Sequence, residues 1–462
     1  MTIQTITKPA LDASAVYLGR YAHPGYAASG MPLSYRGERH HILIGPNGSG
    51  KGTRILVPNL LNIQDRSLVV FDTKGELTAI TADFRRRVSD VIILNPFGVL
   101  GIPGVGFNPL ASLDPNSLTF FDDCCGVGEA LIKIEEKDPH WSESAQALVV
   151  SFLMWEVLLA ARVRRPPSLA RVRAMLTEPD VYEDDEHGKS KLVRGLRITA
   201  RRMAAEGTSK IKSLIGRFTR GSDEINSIQS TADRQTTWTL STPMEKNLVR
   251  DDIDFTQLKK RPTTVYVILP PERIRTHSVW LRLLLVTALR AHYTPGGLRT
   301  IFMLDEFAHL GHLAPVEDAL ALVRGYRIQL MPILQDLNQL KAIYSERWQS
   351  FLGSSGVVQG FAPNDLQTAD WMSKRAGETT VVAAGYNLGN SDSENRHSAN
   401  TGMSYQQMKR PLLSPNDLMG MGRGAGVIFL DGTSRTIPFF APPYWDIPEL
   451  AERAQANPYY SG

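Results

Sequence analysis

The sequence predicts an α/β protein in which a mainly parallel sheet with covering helices is interrupted by an inserted all-α domain. Three observations point there. From residue 41 onward, short apolar runs alternate with helix-like stretches, as buried parallel strands and their crossovers do. Between about Ser112 and Arg234 the spacing turns helical and β-branched runs become scarce. Strand and helix alternation then resumes at Thr263. With 462 residues and 42% hydrophobic content, the chain has ample material for a buried core. The implied division is an N-terminal arm (1–40), an α/β domain in two parts (41–111 and 235–462) and the inserted all-α domain (112–234).

In chain order, residues 1–40 carry scattered Gly, Pro, Tyr and Ala without a period and read as an irregular arm. Ile42–Ile44, Ser67–Asp72 and Val91–Leu94 read as strands, with helices at Lys51–Leu61 and Glu76–Arg87 between them. Pro58 predicts a kink or an early end in the first helix. In the insertion, Trp141, Ala145, Leu148, Phe152, Trp155 and Leu159 recur every three or four residues and form the core face of a helix. Lys189–Arg220 holds ten Lys or Arg residues against one acid, Glu206. It reads as a solvated basic face, or as a surface for nucleic acid or an acidic protein. Further strands are expected at Thr263–Leu269, Thr300–Asp305, Ile328–Leu334 and Gly356–Phe361, with helices at Trp280–His292 and Val316–Arg324. The polar tract Asn387–Ser404 reads as an exposed loop. Gly426–Leu430 and Thr436–Phe440 flank Asp431-Gly432, a hairpin turn signal.

The formal charge of +4 permits contact with nucleic acid or an anionic membrane without requiring it. Cys124 and Cys125 are adjacent and cannot staple distant segments, so two free thiols in a reducing, cytoplasmic compartment are expected. The N-terminus lacks the pattern of a signal peptide. No stretch approaches the ~20 apolar residues that span a bilayer; Phe152–Ala161 comes closest, and Glu156 within it favours a buried helix.

The chemistry centres on Gly45-Pro46-Asn47-Gly48-Ser49-Gly50-Lys51-Gly52-Thr53, between an apolar strand and a helix. Backbone N–H groups of such a turn converge on an anion, the helix adds its positive end, and Lys51 supplies a cation for the outer phosphates. The spacing fits a P-loop, but Gly52 stands where a Ser or Thr hydroxyl would bind magnesium. Thr53 lies about 100° further round the helix. Thr53, Ser49 or water are the alternatives for that position. A P-loop acts on its nucleotide when a second strand delivers a carboxylate, and Ile301–Leu304 followed by Asp305-Glu306 offers one. Asp305 would reach the magnesium shell and Glu306 would activate the attacking water. ATP and Mg2+ are the expected cofactors. Asp72, followed by Thr73 and Lys74, is a competing carboxylate or a cap of the next helix. Gln335 would sense the γ-phosphate or bound nucleic acid. Arg324 and Arg327, beside the same strand, are the candidates for an arginine supplied in trans. His40-His41 have no further His or Cys at metal-ligand spacing, which argues against structural zinc. The glycines at 48, 50 and 52 do not match the dinucleotide fingerprint.

These residues resemble a known family, the TraG-type coupling proteins of conjugation and type IV secretion. The resemblance rests on Gly48-Ser-Gly-Lys-Gly52 with Val57-Pro-Asn-Leu-Leu61, on Asp72-Thr-Lys-Gly-Glu-Leu77, and on Asn95-Pro-Phe97 with Phe107-Asn-Pro-Leu110. It continues through Trp141, Leu304-Asp-Glu-Phe307 with Gly311, Arg324-Gly-Tyr326 and Leu334-Gln-Asp-Leu-Asn-Gln-Leu340. Gly52 is itself part of it. The resemblance implies a RecA-like P-loop NTPase domain interrupted by an all-helical domain and assembled as a hexameric ring. It implies ATP-driven export of single-stranded DNA joined to a relaxase, or of an effector protein, through a type IV secretion channel. Family members commonly begin with transmembrane helices, so a chain without them is expected either to reach the inner membrane through a partner or to be a soluble branch of the family. Two other readings are a substrate-docking adaptor with nucleotide as an assembly switch, and a motor for protein effectors alone.

Overall fold

The computed structural model describes residues 11–22, 30–135, 138–184, 189–220, 222–393 and 396–459. In chain order the strands are β1 (Val16–Tyr21), β2 (Pro32–Tyr35), β3 (His40–Ile44), β4 (Ser67–Asp72), β5 (Asp90–Leu94), β6 (Val181–Asp184), β7 (Ser190–Val193), β8 (Thr263–Ile268), β9 (Thr300–Leu304), β10 (Ile328–Leu334), β11 (Ser355–Phe361), β12 (Glu378–Ser393), β13 (Arg396–Pro411), β14 (Ala425–Leu430) and β15 (Thr436–Phe440).

One eleven-stranded sheet runs β2-β1-β15-β14-β11-β3-β10-β9-β4-β8-β5. From β11 to β5 every neighbour is parallel. From β11 outward to β2 every neighbour is antiparallel. The central strands are buried on both faces, which explains their unbroken apolar runs. Side-chain alternation divides them between two cores: Ile42, Ile44, Val69, Phe71, Phe302 and Leu304 face one, while Leu43, Leu68, Val70, Ile301 and Met303 face the other.

Between β5 and β8 the chain leaves the sheet for a run of helices at Phe120–Leu131, Pro139–Arg162, Leu169–Leu176, Gly195–Glu206, Ser209–Ile215, Asp223–Thr236 and Thr242–Leu248. The 24-residue helix Pro139–Arg162 is the centre of this unit; Ala145, Leu148, Phe152 and Trp155 are buried along it. By length and composition it is apolar enough to cross a membrane, longer than the ten residues that stood out in the sequence. Its most apolar window is 72% buried inside the protein, as expected of a core helix. The insertion is not all helix, since β6 and β7 form a small antiparallel hairpin held by its own ladder. In the basic stretch, Leu196, Met203, Ile211, Ile215 and Phe218 face inward, and Arg194, Arg202, Lys210, Lys212 and Arg217 remain exposed.

Two sequence expectations are corrected here. The supposed irregular arm contributes β1 and β2, which extend the sheet beyond β15 through backbone pairing. The supposed loop at Asn387–Ser404 lies within the long hairpin β12–β13, paired from Glu378↔Pro411 to Ser393↔Arg396. At Pro58 the chain stays helical, with a change of helix type just before it. The preceding turn, Gly52–Leu56, is a π-helix in which Val57 N–H donates to Gly52 O, five residues back. That wider turn accommodates the missing Pro58 N–H, and Val57–Asn62 continues as α-helix.

Candidate nucleotide-binding site

The glycine-rich turn leaves the C-terminal end of β3 and runs into the π-helical turn. Gly45 N–H donates to Leu334 O at 3.0 Å, which ties the turn's entry to the end of β10, one residue before Gln335. Gly48 and Gly50 have φ of +79° and +93°, a backbone region that other residues reach only with strain. The Lys51 ammonium lies across the turn, donating to the Gly45 carbonyl and, at 3.3 Å, to the Pro46 carbonyl. Burial pulls the Lys51 pKa down, and the charges of Asp305 and Glu306 oppose that pull. The turn, Asp305 and Glu306 thus form one electrostatic unit.

Asp305 follows β9 directly, and β9 pairs in parallel with both β10 and β4, so the ends of these strands lie side by side. Burial, reinforced by the adjacent Glu306, pushes the Asp305 pKa up to about 7. Glu306 sits in the left-handed region with φ of +53°, and its N–H donates to Asp305 Oδ1 at 3.1 Å. Gln335 Nε2 reaches Glu306 Oε2 at 3.4 Å, while Gln335 N–H donates to Gln339 Oε1 at 2.9 Å. Lys51, Asp305, Glu306 and Gln335 therefore converge at one edge of the sheet from three neighbouring strand ends.

Asp72 is not an equivalent alternative. It is buried and accepts hydrogen bonds from Thr78 N–H and Thr78 Oγ1, both at 2.8 Å, so it caps the helix Glu76–Val88. Arg327 precedes β10 and lies at the end of that strand opposite Gln335, where it pairs with Glu38 Oε1 at 3.0 Å. Arg324 lies on the helix Ala314–Tyr326; its side chain is outside the described residues. His40 and His41 are core hydrogen-bonders: His40 Nδ1 accepts from Leu330 N–H at 2.9 Å, and His41 Nε2 meets Gln359 Oε1 at 3.1 Å.

The residues present fit a magnesium nucleotide. Lys51 and the turn suit its phosphates, and a carboxyl that holds its proton near neutrality is one from which a bound cation would displace that proton. Of the two candidate hydroxyls, Thr53 Oγ1 contacts Gly50 O at 3.5 Å. Ser49 Oγ is buried and has no partner among the described residues. A Cβ placed on Gly52 would meet nothing within 4 Å. Among the described residues no cluster of three or more His, Cys, Asp or Glu could hold a metal by itself, so a cation here needs phosphate oxygens and water as further ligands.

Two neighbours escaped the sequence reading. His309 Nε2 lies 3.5 Å from Glu306 Oε2, and Gln339 holds the Gln335 backbone. Both stand at helical spacing from the residue they touch, i+3 and i+4, and that spacing was the available signal.

Comparison with known proteins gives the same family as these motifs. The chain is 28% identical over 439 residues to the conjugal transfer protein TraG of Escherichia coli, covering 90% of this chain and 66% of that longer relative. Its fold resembles that of the bacterial conjugative coupling protein TrwBdeltaN70 in an unbound monoclinic form, with a TM-score of 0.67, 16% identity and coverage of 92% and 88% of the two chains. A second structure, the plasmid coupling protein TrwB in complex with ADP and Mg2+, matches with a TM-score of 0.61, 15% identity and coverage of 88% and 85%. Residues 1–438 match the family described as type IV secretory system conjugative DNA transfer, and the chain belongs to that family.

Proposed function

We propose that this chain is an ATP-hydrolysing coupling protein that recruits a relaxase-bound DNA to a type IV secretion channel and drives the single strand through it. The observation that carries this reading is the convergence of Lys51 with Asp305, Glu306 and Gln335 at the ends of β3, β9 and β10. The complex of TrwB with ADP and Mg2+ supports a magnesium nucleotide in a protein of this fold. In this reading the turn Gly45–Thr53 holds the phosphates, and Lys51 neutralises the outer ones. Asp305, with Ser49 or Thr53, would hold magnesium, which offsets phosphate charge when bound. Glu306 takes a proton from the attacking water, and Gln335 holds the Glu306 carboxylate in place.

The active form would be a homo-oligomer, a hexameric ring, working in the cytoplasm beside the inner membrane. An arginine from a neighbouring subunit, Arg324 or Arg327, would complete the site; Arg327 would first have to leave Glu38. The exposed arginines and lysines of Gly195–Ile215 are the surface best suited to phosphodiester backbone or to an acidic partner. ATP turnover, measured while single-stranded DNA is titrated at several salt concentrations, tests the reading. Stimulation that fades as salt rises is expected; turnover absent with and without DNA contradicts a motor.

A further inference from the structure

The guanidinium of Arg282 is buried, with 2% of the residue exposed, and among the described residues it pairs with no carboxylate. It donates instead to four backbone carbonyls in two separate segments. Nε and Nη2 bond Ala130 O at 2.9 Å and Glu129 O at 3.0 Å, at the C-terminal end of the insertion helix Phe120–Leu131. Nη1 bonds Leu310 O at 2.8 Å and His312 O at 2.7 Å, in the segment that follows Asp305-Glu306. The first pair would otherwise be orphan carbonyls of a buried helix end. The second pair fixes a short helical turn, Phe307–Leu310, bounded by Glu306 at φ +53° and Gly311 at φ +66°.

One turn before Arg282 on its own helix, Pro271–Arg290, Ser278 Oγ accepts from Lys133 Nζ at 3.0 Å. Lys133 in turn exchanges backbone hydrogen bonds with the Gln235 side chain, at 2.6 Å and 3.0 Å. Gln235, Lys133 and Ser278 are thus joined by hydrogen bonds from the insertion to the helix that carries Arg282, one turn before it. Beside it a cleft of about 610 Å³ separates Glu129 and Lys133 from His312 and Ala314. The two sides of that cleft are joined by Arg282. A planar fork with five donors suits this task; a lysine in its place carries three donors on one nitrogen and cannot hold all four carbonyls.

We propose that Arg282 is a positioning residue that couples the helical insertion to Glu306, so that a displacement of the helix Phe120–Leu131 by a bound partner is transmitted to the base. The inference rests on the assignment of Glu306 as the base. It goes beyond that assignment by naming the connection through which a ligand on the insertion changes turnover.

The test is amide hydrogen exchange and ATP kinetics on the full chain carrying Arg282→Lys. Three protected amides report on the two segments: Ile132 N–H, bonded to Gly128 O, and His309 and Gly311 N–H, bonded to Glu306 O and Ala308 O. The expected result is at least tenfold faster exchange at all three, no change at Gly45 N–H, and kcat down tenfold or more with the KM for ATP within twofold. Exchange raised in one segment alone, or kcat unchanged while both loosen, overturns the proposal. Gly311→Ala serves as a second variant that leaves Arg282 in place and strains only the loop, because φ there is +66°. Faster exchange at Ile132 in that variant supports the coupling, and an unchanged rate overturns it. A wild-type chain that binds ATP without turning it over would refute the enzymatic reading, while the exchange measurements would still decide the coupling.

Discussion

The Gln335 side-chain amide meets the Glu306 carboxylate at 3.4 Å, across the ends of two neighbouring parallel strands. The contact gives Glu306 a defined orientation in a backbone conformation, φ +53°, that leaves its side chain few alternatives. Replacing Gln335 by Leu keeps the volume and removes the donor. The expected outcome in steady-state kinetics is a roughly 10- to 100-fold lower kcat, smaller than the roughly 10²- to 10⁴-fold that the base itself contributes, with a small change in KM. An equal loss in nucleotide affinity would assign Gln335 to binding instead.

Gly52 is the position at which the phosphate turn departs from the usual P-loop pattern. Space around its Cβ is open and its φ is not positive, so Gly52→Ser should fold and gain about 0.5 kcal/mol in helix propensity. It should also lower the magnesium concentration at half-maximal turnover by restoring a hydroxyl where P-loops carry one. If Ser49 serves that role in the native chain, Ser49→Ala should raise that concentration and Thr53→Val should not; a magnesium titration of the three variants distinguishes them.

Asn59 explains one of the motifs. It is fully buried, its Oδ1 accepts from Tyr17 N–H at 2.8 Å, and its Nδ2 donates to Tyr17 O at 2.9 Å and Ile55 O at 2.8 Å. The side chain thus pins β1 to the helix that follows the phosphate turn. Asn59→Leu should cost about 3 kcal/mol, because it leaves the Tyr17 backbone groups without these bonds. Urea unfolding measures the loss, and a cost below about 1 kcal/mol would mean that β1 is held by its strand neighbours alone.

What the sequence disclosed and what it hid follow from the same physics. β3, β4, β8, β9 and β10 were legible because strands buried on both faces carry apolar runs; the edge strand β5 was legible through Val91–Leu94, and β11 through the apolar residues among its glycines. β1 and β2 were not, because Gly19 interrupts one, Pro32 and Ser34 dilute the other, and both join the sheet through backbone bonds that leave no side-chain pattern. The hairpin β12–β13 was hidden for the same reason. Asp305-Glu306 and the phosphate turn were visible as motifs. For Asp72 the sequence offered both a competing carboxylate and a helix cap, and the bonds from Thr78, six residues on, are what choose the cap; the placement of Arg327 depends on which end of β10 it occupies, which needs three dimensions. Arg282 was invisible within an apolar helix, since nothing in its neighbours announces four carbonyl partners.

Three buried histidines set a pH dependence. Burial holds His40, His41 and His292 each at a pKa of about 4, below the 6.5 of an exposed imidazole. The unfolded chain therefore binds more protons than the folded one between about pH 6.5 and pH 4. Stability is complete above that window and is lost as pH falls through it. Between pH 7 and pH 5.5 each histidine should cost about 1 kcal/mol. Urea unfolding across this range should show the loss, and His292→Gln should reduce its slope by one proton; an unchanged slope would mean that His292 titrates normally in the fold.

The most direct test of the account is ATP turnover and ATP binding measured together on the wild type, Lys51→Ala and Glu306→Gln. The account predicts that Glu306→Gln binds ATP within about threefold of the wild type yet loses at least 100-fold in kcat, while Lys51→Ala loses binding and turnover together. Wild-type turnover in Glu306→Gln would contradict the assignment of Glu306 as base, and wild-type turnover in Lys51→Ala would place the chemistry outside this phosphate turn.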